Sequence, residues 1–148
     1  METQVQQPPT HAPPRRPVVF YDGDCPLCRR EIGHYRAIDR GGAIEWLDLH
    51  QSGERLQAAG ITHDQAMARL HVIDPDREAD GGPDGGLSGA IVSGVPGFLA
   101  IWRRLPGYRH LATLVSALRL TGPLDRAYTR FARWRLRRRC REGSCEIG

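Results

Sequence analysis

Val18-Val19-Phe20-Tyr21 is an unbroken apolar run and predicts a buried strand. Cys28, Ile32, Tyr35 and Ile38 follow at helical spacing, with Pro26 suited to the first helical position and Gly41-Gly42 to the stop. Ile44 to Leu49 predicts a second strand, and a β-α-β unit of this size implies parallel neighbours joined by a right-handed crossover. Ser52 to Ala68 reads as helix interrupted at Gly60. Leu70 to Ile73 predicts a third strand, with Leu70 and Val72 on one face and His71 and Ile73 on the other. Asp74-Pro75-Asp76 and the run Gly81 to Gly86 are turn and loop residues. Ala90-Ile91-Val92 predicts a fourth strand, the return leg of a long hairpin, and Ser93 is placed to cap the next helix. Three helices close the chain, with apolar stripes at Phe98, Ile101, Trp102 and Leu105, then Leu111, Leu114, Val115 and Leu118, then Leu124, Ala127, Tyr128, Phe131 and Trp134. The aromatic residues of these stripes read as core, and Gly122-Pro123 separates the last two helices.

Residues 1–16 have no apolar period and are rich in Gln and Pro, which predicts a disordered tail. The expected organisation is that tail, a domain over 17–139 that includes a C-terminal helical extension, and a flexible tail over 140–148. At 148 residues, 40% hydrophobic and 26% charged, the chain suits one globular domain. It has no run of about 18 apolar residues and no apolar signal segment near Met1, which points to the cytoplasm. Four cysteines are too few for a disulfide-stapled secreted scaffold. In the cytoplasm a Cys-x-x-Cys pair is more often catalytic or metal-binding than structural. Net charge is +4, and all 21 basic residues are Arg. Most are scattered along the chain, so the absence of Lys reads as a compositional bias rather than a phosphate-recognition device.

The chemistry concentrates in Asp22-Gly23-Asp24-Cys25-Pro26-Leu27-Cys28. A strand that runs straight into Cys-x-x-Cys sets two sulfurs at a helix N-terminus, where unpaired N–H groups and the positive end of the macrodipole favour a thiolate. Cysteines three apart lie on one side of the first turn, within disulfide reach. Cys25, at or beside the N-cap, is expected to be exposed, and Cys28, a turn further in, more buried. This asymmetry predicts that Cys25 attacks a target disulfide and Cys28 resolves the mixed disulfide. Arg29 and Arg30 add positive charge that favours the Cys25 thiolate, His34 lies further along the helix, and Asp24 suits the N-cap. Asp22 has two readings of equal weight: a general base for the resolving thiol, or a structural residue that holds the loop. The exchange needs no metal or organic cofactor. It needs protein or small-molecule thiols and disulfides as partners, and a reductant to regenerate the dithiol. The order β-α-β-α-β-β-α, with Cys-x-x-Cys after the first strand, is that of a thioredoxin-like domain: an α/β fold with a mixed four-stranded sheet and, here, additional C-terminal helices.

Tyr21-Asp22-Gly23-Asp24-Cys25-Pro26-Leu27-Cys28-Arg29 resembles the signature of the DCC family of thiol-disulfide oxidoreductases, named for its Asp, Cys and Cys. Ile44 to Leu49, Leu70 to Asp74, Phe98 to Leu105 and Asp125 to Arg133 follow in the order that family shows, so the resemblance covers roughly residues 17 to 140. It implies a thioredoxin-like fold and Cys25 and Cys28 as the redox pair, with Asp22 beside them. Thioredoxin folds carry a cis-proline just before the third strand, facing the cysteines. Met67-Ala68-Arg69 occupies that region here, a departure at the usual docking surface for a substrate strand.

Other patterns compete with this reading. Cys140 and Cys145 join Cys25 and Cys28 as the four thiolates of an alternative, non-enzymatic zinc-binding or interaction domain, although the x4 spacing and the distance between the halves weaken it. They could also form a second dithiol, but the plainer expectation is two incidental thiols in a loose tail. The terminal helix carries Arg126, Arg130, Arg133, Arg135, Arg137, Arg138, Arg139 and Arg141. Contact with nucleic acid or an anionic membrane face is conceivable, yet without a recognition motif a solvated face is the favoured reading. His71 is expected to be a satisfied strand residue, and His50, His63 and His110 loop or cap residues. The Gly-rich stretch from Gly81 to Gly89 lacks the Lys of a phosphate-binding loop.

Overall fold

Strand β1 (Val18–Tyr21) is central in a four-stranded sheet ordered β2-β1-β3-β4. The computed structural model describes residues 16–77 and 89–141. The expected tails, apart from Arg16, Cys140 and Arg141, and the Gly81 to Gly86 run lie outside the described residues. Helix α1 (Pro26–Ile38) leads from β1 to β2 (Glu45–Asp48), which pairs in parallel with it from Val18↔Glu45 to Tyr21↔Asp48. Helices α2 (Gly53–Ala58) and α3 (His63–Ala68) follow, split around Gly60. Strand β3 (His71–Asp74) pairs antiparallel with β1, and β4 (Ala90–Ser93) antiparallel with β3. Helices α4 (Val95–Arg104), α5 (Tyr108–Ala117) and α6 (Thr121–Arg141) close the chain. This mixed sheet and element order are consistent with a thioredoxin-like fold.

The apolar run of β1 is continuous because both of its faces are covered. Val18 and Phe20 pack with Leu56, Ile61, Met67 and Ile73 beneath α2 and α3. Val19 faces the other way, into Ile32, Tyr35, Val72 and Ile101 beneath α1 and α4. A smaller cluster of Val95, Leu99, Ala112 and Val115 joins α4 to α5, with Tyr128 of α6 against it.

Three expectations change. Gly94, with φ of 66°, rather than Ser93, begins α4. A Cβ at Gly94 would collide with the side chains of Arg69 and Asp125, so glycine alone fits there. Helix α5 buries Ala112 and Val115, while Leu111, Leu114 and Leu118 stay 39%, 54% and 57% exposed. Phe131 and Trp134 of α6 are likewise exposed and not core. In both helices the face turned inward is narrower than the apolar stripe.

Helix α6 is tied to the sheet by polar side chains. Asp125 accepts hydrogen bonds from Arg69 Nη2 at 2.6 Å and the Val95 N–H at 3.1 Å, and Tyr128 Oη accepts the Leu70 N–H at 3.0 Å. These bonds fix the start of β3 and α4 against α6, and they aim the C-terminal half of α6 at the end of β1.

Candidate active site

The backbone leaves β1 through a loop with little freedom. Asp22, 3% exposed, accepts the Asp24 N–H on Oδ1 at 3.1 Å, and its carbonyl accepts the Cys25 N–H at 3.2 Å. Gly23 donates its N–H to Asp48 Oδ1 at 3.2 Å, and a Cβ at this position would overlap the Asp48 carboxylate. Cys25 is the N-cap of α1, in extended conformation, and Pro26 opens the helix. Asp24 does not cap: its side chain turns outward to His50, 3.5 Å away.

Cys25 and Cys28 are both free thiols. Cys28 donates its backbone N–H and its S–H to the Cys25 sulfur. The expected exposure order is reversed. Cys25 is only 2% exposed, whereas Cys28 opens partly onto a cavity of ≈ 50 Å³ lined by Phe20, Leu27, Glu31, Phe131 and Arg135. By depth in the protein, however, Cys28 is the more enclosed, and desolvation weighs more heavily on it.

Arg135 of α6 reaches both sulfurs. Its Nη1 lies 2.6 Å from Cys28 Sγ and 3.8 Å from Cys25 Sγ, and its Nη2 donates to the Met67 carbonyl at 2.9 Å. Met67 belongs to the segment before β3 that departs from the thioredoxin pattern, so a side chain now occupies that backbone acceptor. One turn further along α6, Arg139 Nη2 faces Asp22 Oδ2 at 3.3 Å. His50 donates from Nε2 to Asp22 Oδ1 at 2.8 Å, which completes a buried cluster around this carboxylate.

These neighbours drive the two thiols apart. Burial pushes Cys25 up, but the Cys28 N–H and S–H and the Arg135 charge and N–H together outweigh it, so its pKa falls below the ordinary 9.0. Burial pushes Cys28 up and the Arg135 charge opposes it. The hydrogen bond and charge of Cys25, with the charge of Asp22, add to burial, and Cys28 ends at about 12. Glu31 is raised chiefly by burial and accepts the Tyr35 hydroxyl at 3.1 Å.

Sequence reasoning placed Cys25, Cys28 and Asp22 together, and they are together. It missed Arg135, Arg139 and His50. Arg29 and Arg30 are exposed and are not the source of the charge that acts on Cys25. His34 is hydrogen-bonded to Tyr108 Oη at 2.8 Å, and His71 donates from Nδ1 to the Arg69 carbonyl at 2.9 Å. The solvated-face reading of α6 holds for most of its arginines but fails for Arg135 and Arg139. Cys140 is disulfide-bonded rather than an incidental thiol, which removes it from a four-thiolate site, and Cys145 lies outside the described residues. Among the described residues no three His, Cys, Asp or Glu side chains are grouped to hold a metal ion, and no helix is long and apolar enough to cross a membrane.

A family model described as DCC1-like thiol-disulfide oxidoreductase matches residues 19–141. A protein of Arabidopsis thaliana, described as uncharacterized and chloroplastic, is 25% identical over 120 residues, which is 80% of this chain and 50% of that protein. The chain thus spans about half the length of this curated relative. No solved structure matches the chain.

Proposed function

The chain belongs to the DCC1-like thiol-disulfide oxidoreductase family, and from that premise we propose that it exchanges a Cys25–Cys28 dithiol with the disulfides of protein or small-molecule substrates. The observation that carries this reading is the split pair: two free sulfurs at one helix N-terminus, one held towards thiolate and the other towards thiol.

The Cys25 thiolate attacks a substrate disulfide R–S–S–R′. A Cys25–S–S–R bond forms, and R′–S⁻ leaves with the electron pair and takes a proton from water. Cys28 then attacks Cys25 Sγ as a thiolate. The Cys25–Cys28 disulfide forms, and R–S⁻ departs and accepts the proton that Cys28 gave up. The substrate gains two electrons and the pair loses two, and a thiol reductant returns them in a reducing compartment, the cytoplasm in this reading. Of the two roles open to Asp22, the anchoring one fits better. Its carboxylate already accepts from His50 and the Asp24 N–H and faces Arg139, so its oxygens are engaged in holding the loop and α6 in place. Its charge adds, after burial and the Cys25 anion, to what keeps Cys28 protonated between turnovers.

The test is reduction of a protein disulfide by pre-reduced protein. Cys25→Ser should fall to the uncatalysed background. Cys28→Ser should keep the first attack and accumulate covalent adducts visible by mass. Equal turnover in wild type and Cys25→Ser would overturn the proposal.

A further inference from the structure

Cys28 poses a problem for the exchange reading. It must be a thiol while Cys25 is a thiolate, and a thiolate moments later, when it attacks the mixed disulfide. Arg135 lies where the problem has to be solved. It stands 107 residues from Cys28 in the chain, yet one guanidinium nitrogen lies within hydrogen-bonding reach of both sulfurs while the other is tethered to the Met67 carbonyl. A guanidinium is planar, permanently charged and rich in donors, so it can keep the tether and still turn a donor from one sulfur to the other.

We infer that Arg135 is a catalytic residue that serves both sulfurs, balancing the Cys25 thiolate from 3.8 Å in the reduced protein and, already bonded to Cys28 Sγ, holding the Cys28 thiolate once Cys25 is tied up in the mixed disulfide. The inference rests on the exchange reading above. In the resting state the Cys25 anion accepts the Cys28 S–H and keeps that proton in place. Formation of the mixed disulfide abolishes this anion, and with it two of the influences that oppose ionisation of Cys28. The groups left around Cys28 are Asp22 from the loop after β1, Glu31 of α1, and Tyr128 and Arg135 of α6. Arg139 is paired with Asp22, and the neighbouring Arg69 with Asp125. Among the described residues Arg135 is therefore the cation left hydrogen-bonded at the sulfur that must ionise. The proton of Cys28 goes to the departing R–S⁻, so the step needs no further reactant.

A symmetric chromogenic aromatic disulfide separates the two steps, because each attack releases one coloured thiolate. Pre-reduced wild type should give two phases, the first from Cys25 and the second from Cys28. Arg135→Gln should slow both phases and the second by at least about tenfold, the equivalent of one pKa unit. The exposed Arg133→Gln, on the same helix, should leave both unchanged. In parallel, alkylation of Cys28 against pH in a Cys25→Ala background mimics an uncharged Cys25. There Arg135→Gln should move the Cys28 profile up by about one unit or more. Folded Arg135→Gln protein with both phases within twofold of wild type and an unmoved profile would overturn the inference. If Arg135→Gln does not fold, Arg135→Lys carries the test. Lysine cannot fork to a sulfur and to Met67 at once, so the second phase should slow several-fold and the first should not, and two unchanged phases would again overturn it. Wild type that releases no thiolate would sink the exchange reading itself, whereas the alkylation profile reads the reach of Arg135 either way.

Discussion

The Asp22 to Cys28 loop and the inner face of α6 converge on the same two sulfurs, but they are held there by different forces. The loop is held through its own backbone N–H groups: Cys25 to the Asp22 carbonyl, Asp24 to the Asp22 carboxylate, Gly23 to the Asp48 carboxylate, and Arg29 to the Cys25 carbonyl. None of these depends on the state of a thiol. The C-terminal half of α6 is held by Arg135, which bonds the Met67 carbonyl and reaches both sulfurs, and by Arg139 at Asp22; of these contacts, those with the Cys25 thiolate and the Asp22 carboxylate are ionic. The loop therefore keeps its geometry through a redox cycle. In the proposed exchange only the Arg135 contacts with the sulfurs would change with their charge, so the loop carries the two sulfurs and Arg135 answers them.

The largest effect should come from the rigid side. Cys25→Ser removes the attacking sulfur and should bring disulfide reduction to background, whatever α6 does. Below it comes the ionic side. Asp22→Asn leaves Arg139 facing a neutral amide at a site where the two side chains are 2% and 11% exposed. Breaking one partner of a buried pair costs about 3 kcal/mol, and urea unfolding would measure it. A loss below about 1 kcal/mol would mean that the contact is screened like a surface pair and that the contrast between the two sides is overdrawn.

A pH series sharpens the same contrast. Folding holds Cys28 in the thiol form, so its contribution to stability is complete below the ordinary value of 9.0 and drains away as pH rises towards about 12. Cys25 runs the other way: its pKa is lowered by folding, so its contribution is present above 9.0 and is lost as pH falls through its folded value. Reduced wild type should consequently lose more stability between pH 9 and 12 than Cys28→Ser does. Equal slopes in urea unfolding would contradict the split between the thiols.

The loop was legible because its logic is local. An apolar run, a proline at the first helical position and two cysteines three apart state their geometry within a few residues. The sheet was legible for the same reason, since Val18 to Tyr21 and Leu70 to Ile73 carry their burial in their own composition. Arg135 and Arg139 were hidden in a run of arginines that reads as a solvated face, and only the packing of α6 against α3 and α4 selects those two. The signal available was their spacing: Arg135 and Arg139, four apart, share a helix face with Tyr128 and Ala132, and Tyr128 is the aromatic residue of that stripe that does pack inward. His50 gave no comparable signal, because its partner Asp22 lies on a different strand's loop.

The finest test asks whether α6 is placed by polar bonds or by its apolar stripe. Tyr128 accepts the Leu70 N–H at the start of β3, and its hydroxyl is the acceptor that α6 offers there. Tyr128→Phe keeps the ring against Phe98, 5.4 Å between centroids, and removes only that acceptor. An unpaired buried N–H should cost about 1–2 kcal/mol. Trp134 is the larger side chain but is 51% exposed, with Arg138 stacked on it 5.0 Å from the ring centroid. Its replacement by Ser should change stability by less than about 0.5 kcal/mol. The stripe read as core along the sequence would give the reverse ranking, because a tryptophan buries far more apolar area than a hydroxyl contributes in hydrogen bonding. Thermal or urea unfolding of these two variants thus discriminates between the two accounts of α6. A Trp134→Ser loss greater than that of Tyr128→Phe would place the helix by its apolar face, and the polar anchoring that brings Arg135 to the sulfurs would lose its physical basis.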